Sequence, residues 1–123
     1  MALRQTHKLL RKDGIFRLAM PDLEECVRRY MEDRSSDAAT QFIIASGLGL
    51  ESRPRNILSI LTSIYGGARH LWLWDFDATR AELDRVGFKV IRRAYFGDSS
   101  EIRFREVEEQ DRWDGCLGVE CIK

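Results

Sequence analysis

The chain has 123 residues, 44% of them apolar and 33% charged, which describes one globular domain, residues 1–123, with a heavily charged surface. Lys+Arg and Asp+Glu each number 20, so the formal charge is zero and no global field draws the chain to nucleic acid or acidic lipid. No apolar run approaches the ~20 residues of a membrane span, and Met1–Asp13 lacks the apolar centre of a signal peptide, so the expected location is the cytoplasm.

Leu3, His7 and Leu10 fall at helical spacing and predict an amphipathic helix over 2–11, with His7 in a structural role. Lys12 suits its last turn and Gly14 offers a left-handed stop. GIFRLAMPDL follows. Its apolar run, broken only by Arg17, predicts a strand over 15–20, buried on both faces in the middle of a mostly parallel sheet. Pro21 ends the ladder, and Asp22 caps the next helix, with Glu25 three residues on completing a capping box. Leu23, Cys26, Val27, Tyr30 and Met31 mark one face of that helix, over about 23–33.

Residues 34–70 predict a small helical insertion. Ser36 or Asp37 can cap a helix carrying Ala38, Ala39, Phe42 and Ile43, which Gly47 and Gly49 break. Pro54 suits the first turn of another, whose apolar face runs from Ile57 to Ile64. Asp75 or Asp77 can cap a helix over about 77–86, closed by Gly87, with Phe88 returning to the core. Strands are expected over Lys89–Phe96 and Cys116–Ile122, separated by a charged excursion with a short helix or none. The last strand is expected to insert antiparallel beside the first two. Cys116 and Cys121 lie five apart on that strand and face opposite sides, so Cys26, Cys116 and Cys121 read as reduced structural thiols, with no metal site.

Ligands of open α/β sheets sit past the carboxyl ends of strands, which directs attention to Asp22 and its surroundings. His70 has the chemistry of a general base. Asp22, Tyr65, Trp72, Trp74 and Asp75 are the candidate substrate-binding residues, each with a plainer alternative as cap or core. The late arginines interleave with acids, from Arg92-Arg93 through Arg112, and predict an ion-paired, solvated surface rather than a phosphate-tracking groove.

LRQTHKLLRKDGIFRLAMPDLEECVRRYM resembles the helix and fifth strand of class I, methyltransferase-11-like S-adenosylmethionine-dependent methyltransferases. HLWLWDFDATRAELDRVGFKVIRRAYFGDSS is similar to their following helix and sixth strand, and CLGVECIK to their antiparallel seventh. The resemblance implies the carboxyl-terminal half of such an enzyme: a truncated Rossmann-like, mixed α/β sheet of about three strands with flanking helices. It implies S-adenosylmethionine as cofactor, yet the glycine-rich turn and the acidic residue that hold it have no counterpart in these residues. Methylation by the lone chain is therefore not expected, and the cofactor-binding residues are unknown. The same truncation leaves strand 15–20 with an open edge, which predicts a homo-oligomer or a partner chain there and gives the alternative of a non-catalytic interaction module.

Overall fold

The computed structural model describes residues 2–48 and 73–123. In chain order these form α1 (Ala2–Leu9), β1 (Ile15–Pro21), α2 (Leu23–Glu32), α3 (Ala38–Ser46), α4 (Phe76–Val86), β2 (Lys89–Arg93) and β3 (Cys116–Ile122). Two short 3-10 turns, Ile102–Glu106 and Gln110–Arg112, interrupt the excursion before β3. The second helix expected in the insertion, from Pro54 onward, lies outside the described residues.

The three strands form one sheet in the order β1-β3-β2. β3 runs antiparallel to both neighbours, from Ile15↔Ile122 to Pro21↔Cys116 on one side and through Arg92↔Glu120 on the other. The last strand therefore inserts antiparallel as expected. Two expectations are corrected. The sheet is antiparallel at both pairings rather than mixed, because β3 separates the two strands that run parallel to each other, β1 and β2. Among the described residues β1 lies at an edge and is half-buried, while β3, whose residues Leu117–Cys121 are all buried, holds the centre.

The pleat gives each face its own chemistry. Phe16, Leu18 and Met20 share one face with Leu117, Val119 and Cys121, and this face is covered by α1 and α4 through Leu3, Leu10, Leu83, Val86 and Phe88. His7 packs edge-on against Phe88, with ring centroids 4.9 Å apart, which makes it the structural histidine expected. Burial pushes the Cys121 thiol up to about 12, and all three cysteines are free. The opposite face carries Arg17, Gly118 and Glu120, and the excursion lies over it.

That second face is built around Arg17, whose side chain is 2% exposed. Its Nε donates to Glu108 Oε1 (2.7 Å), its Nη1 to Glu120 Oε2 (2.7 Å) and Asp98 Oδ1 (2.9 Å), and its Nη2 to the Tyr95 carbonyl (3.0 Å). The guanidinium stacks 4.7 Å from the Trp113 ring. Arg92, across the sheet, donates to the same Glu120 (2.7 Å) and to Asp98 (2.6 Å). Gly118 makes room for the lid: a Cβ there would lie 2.2 Å from the Ala94 carbonyl and 2.4 Å from the Trp113 ring.

A bulge in β2 allows Arg92 to join. Lys89 pairs with Ile122 and Arg92 with Glu120, so Val90 and Ile91 together oppose Cys121. Val90 takes up the extra residue at φ 48 with its side chain exposed, which leaves Ile91 to the core face and Arg92 to the charged one.

Helix ends follow local chemistry with small departures. α1 stops at Leu9, and the left-handed residue behind it is Asp13 (φ 59) rather than Gly14. Gly14 is needed for a close approach instead, since a Cβ there would sit 2.8 Å from the Arg11 carbonyl. Asp37 precedes α3 without capping it; its carboxylate accepts from the Gln41 side chain (2.7 Å). Gly47 (φ 67) and Gly87 (φ 109) end α3 and α4 in the left-handed conformation.

Candidate functional site

β1 and β2 run the same way, so their carboxyl ends meet at one end of the sheet. β1 turns directly into α2 through Pro21-Asp22, and Asp22 caps the helix by accepting from the Glu24 N–H (3.0 Å). The expected capping box does not form. The Glu25 carboxylate accepts from Arg28 (2.7 Å) and Arg29 (2.6 Å) instead, and those hydrogen bonds hold it at about 2. Two guanidiniums compete better for a carboxylate than a single backbone N–H does.

Trp74 and Asp75 arrive at the same place. Trp74 forms an isolated parallel bridge with Asp22, and its carbonyl accepts from the Leu23 N–H (3.1 Å). Asp75 caps α4, accepting from the Ala78 N–H (2.7 Å), while its carbonyl takes the Thr79 hydroxyl (2.7 Å). Arg93, at the end of β2, joins the two caps. It donates to Glu24 (2.9 Å), lies 3.7 Å from Asp22 Oδ2, and stacks over Phe76 at 4.9 Å. The structure thus gathers Asp22, Trp74 and Asp75, and commits both carboxylates to helix caps. Tyr65, His70 and Trp72 lie outside the described residues.

Beside Trp74, a cleft of about 520 Å³ opens between α1 and α4 along the outer edge of β1. Leu3, Leu18, Met20 and Val86 give it apolar walls, while Arg4, Glu82 and Arg85 are its charged members. Arg85 is ion-paired with Glu82 one turn away, which leaves Arg4 as the cleft's excess charge. Trp74 is the one residue of the cleft that the sequence singled out as a site residue. Five of the others follow from two periodicities: Leu18 and Met20 share a strand face, and Thr79, Glu82 and Val86 share a helix face at i, i+3 and i+7. Such a cleft suits a compact apolar ligand bearing an anionic group.

The described residues do not fit an S-adenosylmethionine cradle. Among the described residues no glycine-rich turn joins a strand to a helix, and the strand-to-helix turn present contains Pro21 and Asp22. Nor does any group of three or more His, Cys, Asp or Glu suited to a metal occur among the described residues. None of the described helices is long and apolar enough to cross a membrane.

No protein-family model matches the chain, and neither a curated protein nor a solved structure matches it.

Proposed function

We propose that this chain is a methyltransferase-like domain corresponding to the acceptor-side part of an S-adenosylmethionine-dependent methyltransferase sheet, and that these residues alone do not methylate. The observation that carries the reading is the strand order. A carboxyl-terminal strand lies antiparallel between two strands that run parallel to each other, and each of those strands is preceded by a helix. That arrangement agrees with the order of segments on which the resemblance rests. The cleft beside Trp74 then serves to position an acceptor, while the cofactor's adenosine side has no support here.

Calorimetric titration with S-adenosylmethionine and S-adenosylhomocysteine tests this. No binding tighter than about 1 mM is expected, whereas a dissociation constant near 10 μM or below would overturn the assignment of these residues to the acceptor side.

A second reading, a non-catalytic module that pairs through the edge of β1, has its own observation. Among the described residues β1 is hydrogen-bonded along one side only, apart from the single bridge to Trp74. Open edges recruit strands. Light scattering at micromolar concentration should then report a dimer or larger, and a stable monomer would remove this reading.

A further inference from the structure

Two cysteines from distant parts of the chain flank the same proline. Cys116 is the cross-strand partner of Pro21, so the two side chains stand on one face of the sheet. Cys26 lies in the first turn of α2, and its N–H donates to the Asp22 carbonyl (2.9 Å). Pro21 and Cys26 thereby occupy the positions before the cap and four residues into the helix, which pack together when a helix entry is stapled. The consequence is visible as a small cavity of about 220 Å³, lined by Pro21, Cys26 and Cys116 together with Arg29, Asp114 and Gly115. Cys121, on the opposite face, is excluded from it.

We propose that Cys26 and Cys116 form a redox-active dithiol, closed to an intrachain disulfide by exchange with a low-molecular-weight disulfide such as glutathione disulfide. Cys116 is the more exposed of the two and reacts first, as the nucleophile. It loses its proton, and its sulfur bonds to one glutathione sulfur while the other leaves as a thiolate. The deprotonated Cys26 sulfur then displaces the second glutathione from Cys116. One S–S bond is broken and one formed; two protons pass from the protein thiols to two glutathione thiolates. The two cysteines lose two electrons, which glutathione disulfide gains.

The shared cavity brings the pair together, although burial pushes both thiols up and Arg29 only partly offsets it, so exchange is expected to be slow near neutral pH and to speed up as pH rises. Arg29 lies against Gly115, where a Cβ would come within 2.7 Å of its Nη2. Closing the bond would tie the first turn of α2 to the start of β3, beside Asp22 and the carboxyl end of β1. The inference does not depend on the methyltransferase reading.

The test equilibrates the full chain in glutathione buffers from reducing to oxidising, followed by acid quench, intact mass and peptide mapping. The expected product has lost two hydrogens, carries a Cys26–Cys116 cross-link and melts several degrees higher than the reduced chain, because a long loop has been closed. Cys121→Ser should form the same cross-link, while Cys26→Ala and Cys116→Ser should form none and keep the far-ultraviolet dichroism of the reduced parent. Free thiols at positions 26 and 116 in the most oxidising buffer would overturn the proposal. So would a stable glutathione adduct on Cys116 alone, or a cross-link to Cys121.

Discussion

The two faces of the sheet are held in opposite ways. One buries Leu83, Phe88, Leu117, Val119 and Cys121 under α1 and α4, and its stability grows with the area removed from water. The other buries an arginine among three carboxylates and lays Trp113 over it. The apolar face tolerates small changes of shape, since neighbouring side chains can shift. The charged face does not, because removing a member leaves desolvated charges short of a partner. The excursion over 95–115 has few apolar anchors, so its position depends on that network.

Removing the central member is the strongest way to break this contrast. Arg17→Ala should cost about 3–5 kcal/mol, since Glu120 would keep Arg92 while Glu108 would stay buried without its ion-pair partner. Urea denaturation measures it. Hydrogen exchange should show the loss of protection concentrated in residues 95–115. A loss spread evenly over both faces would mean that the excursion is held by something else.

Leu83→Ala probes the apolar face in the same assay. A fully buried leucine should cost about 2–4 kcal/mol, and the resulting loss should reach α1 and α4 before the excursion.

The contrast also explains which features were legible in the sequence. Asp22, Asp75 and Gly87 could be read because a cap depends on residues within one turn. β3 was legible from its alternation, with the observed bounds Cys116–Ile122. Arg17 was visible only as a charge inside an apolar run, and that run suggested a strand buried on both faces. Its partners lie 78 to 103 residues away, in a segment whose mixed charges read as solvated surface. An ion-paired, solvated surface was foreseen for the late arginines, and Arg103 with Glu101 and Arg112 with Glu109 are exposed pairs of that kind. Burial of Arg17 was not, because composition gives charge but not which charge a tryptophan will cover. At the candidate site, sequence reasoning found the three residues that arrive together and missed the cleft wall. That wall comes from elements separated by more than fifty residues.

Acid should separate the two faces with a smaller effect than losing Arg17, because a protonated carboxyl can still accept hydrogen bonds. Burial works to raise Asp98, but hydrogen bonds from Arg92 and Arg17 outweigh it and hold the group at about 2. Glu120 is likewise lowered against its burial, by hydrogen bonds from Ser99, Arg17 and Arg92. Both folded values lie below the ordinary ones. The stabilisation is therefore complete above about pH 4.5 and is lost as pH falls towards about 2. The indole N–H resonance of Trp113 should shift across that window before the methyl signals of Leu83 and Val119 do. Simultaneous movement of all three would show that the faces do not melt separately.

The smallest expected effect lies at the bulge that assigns residues to the two faces. Val90 is a β-branched residue at φ 48, a conformation that costs about 1–3 kcal/mol, and its side chain is 70% exposed, so it gains little packing in return. Val90→Gly relieves the strain at the expense of a more flexible unfolded chain, and a net gain of about 0.5–1 kcal/mol is expected in the urea assay. The sign of the change carries the information. A gain means that the strain comes from holding the extra residue out of the alternation, which keeps Ile91 in the core and Arg92 opposite Glu120. Deleting Val90 would remove the extra residue and leave Ile91 opposite Cys121 and Arg92 opposite Glu120, so it should close the bulge into a regular ladder and cost less than Leu83→Ala. If the deletion instead cost as much as Arg17→Ala, the alternation along β2 would not be what divides the apolar face from the charged one.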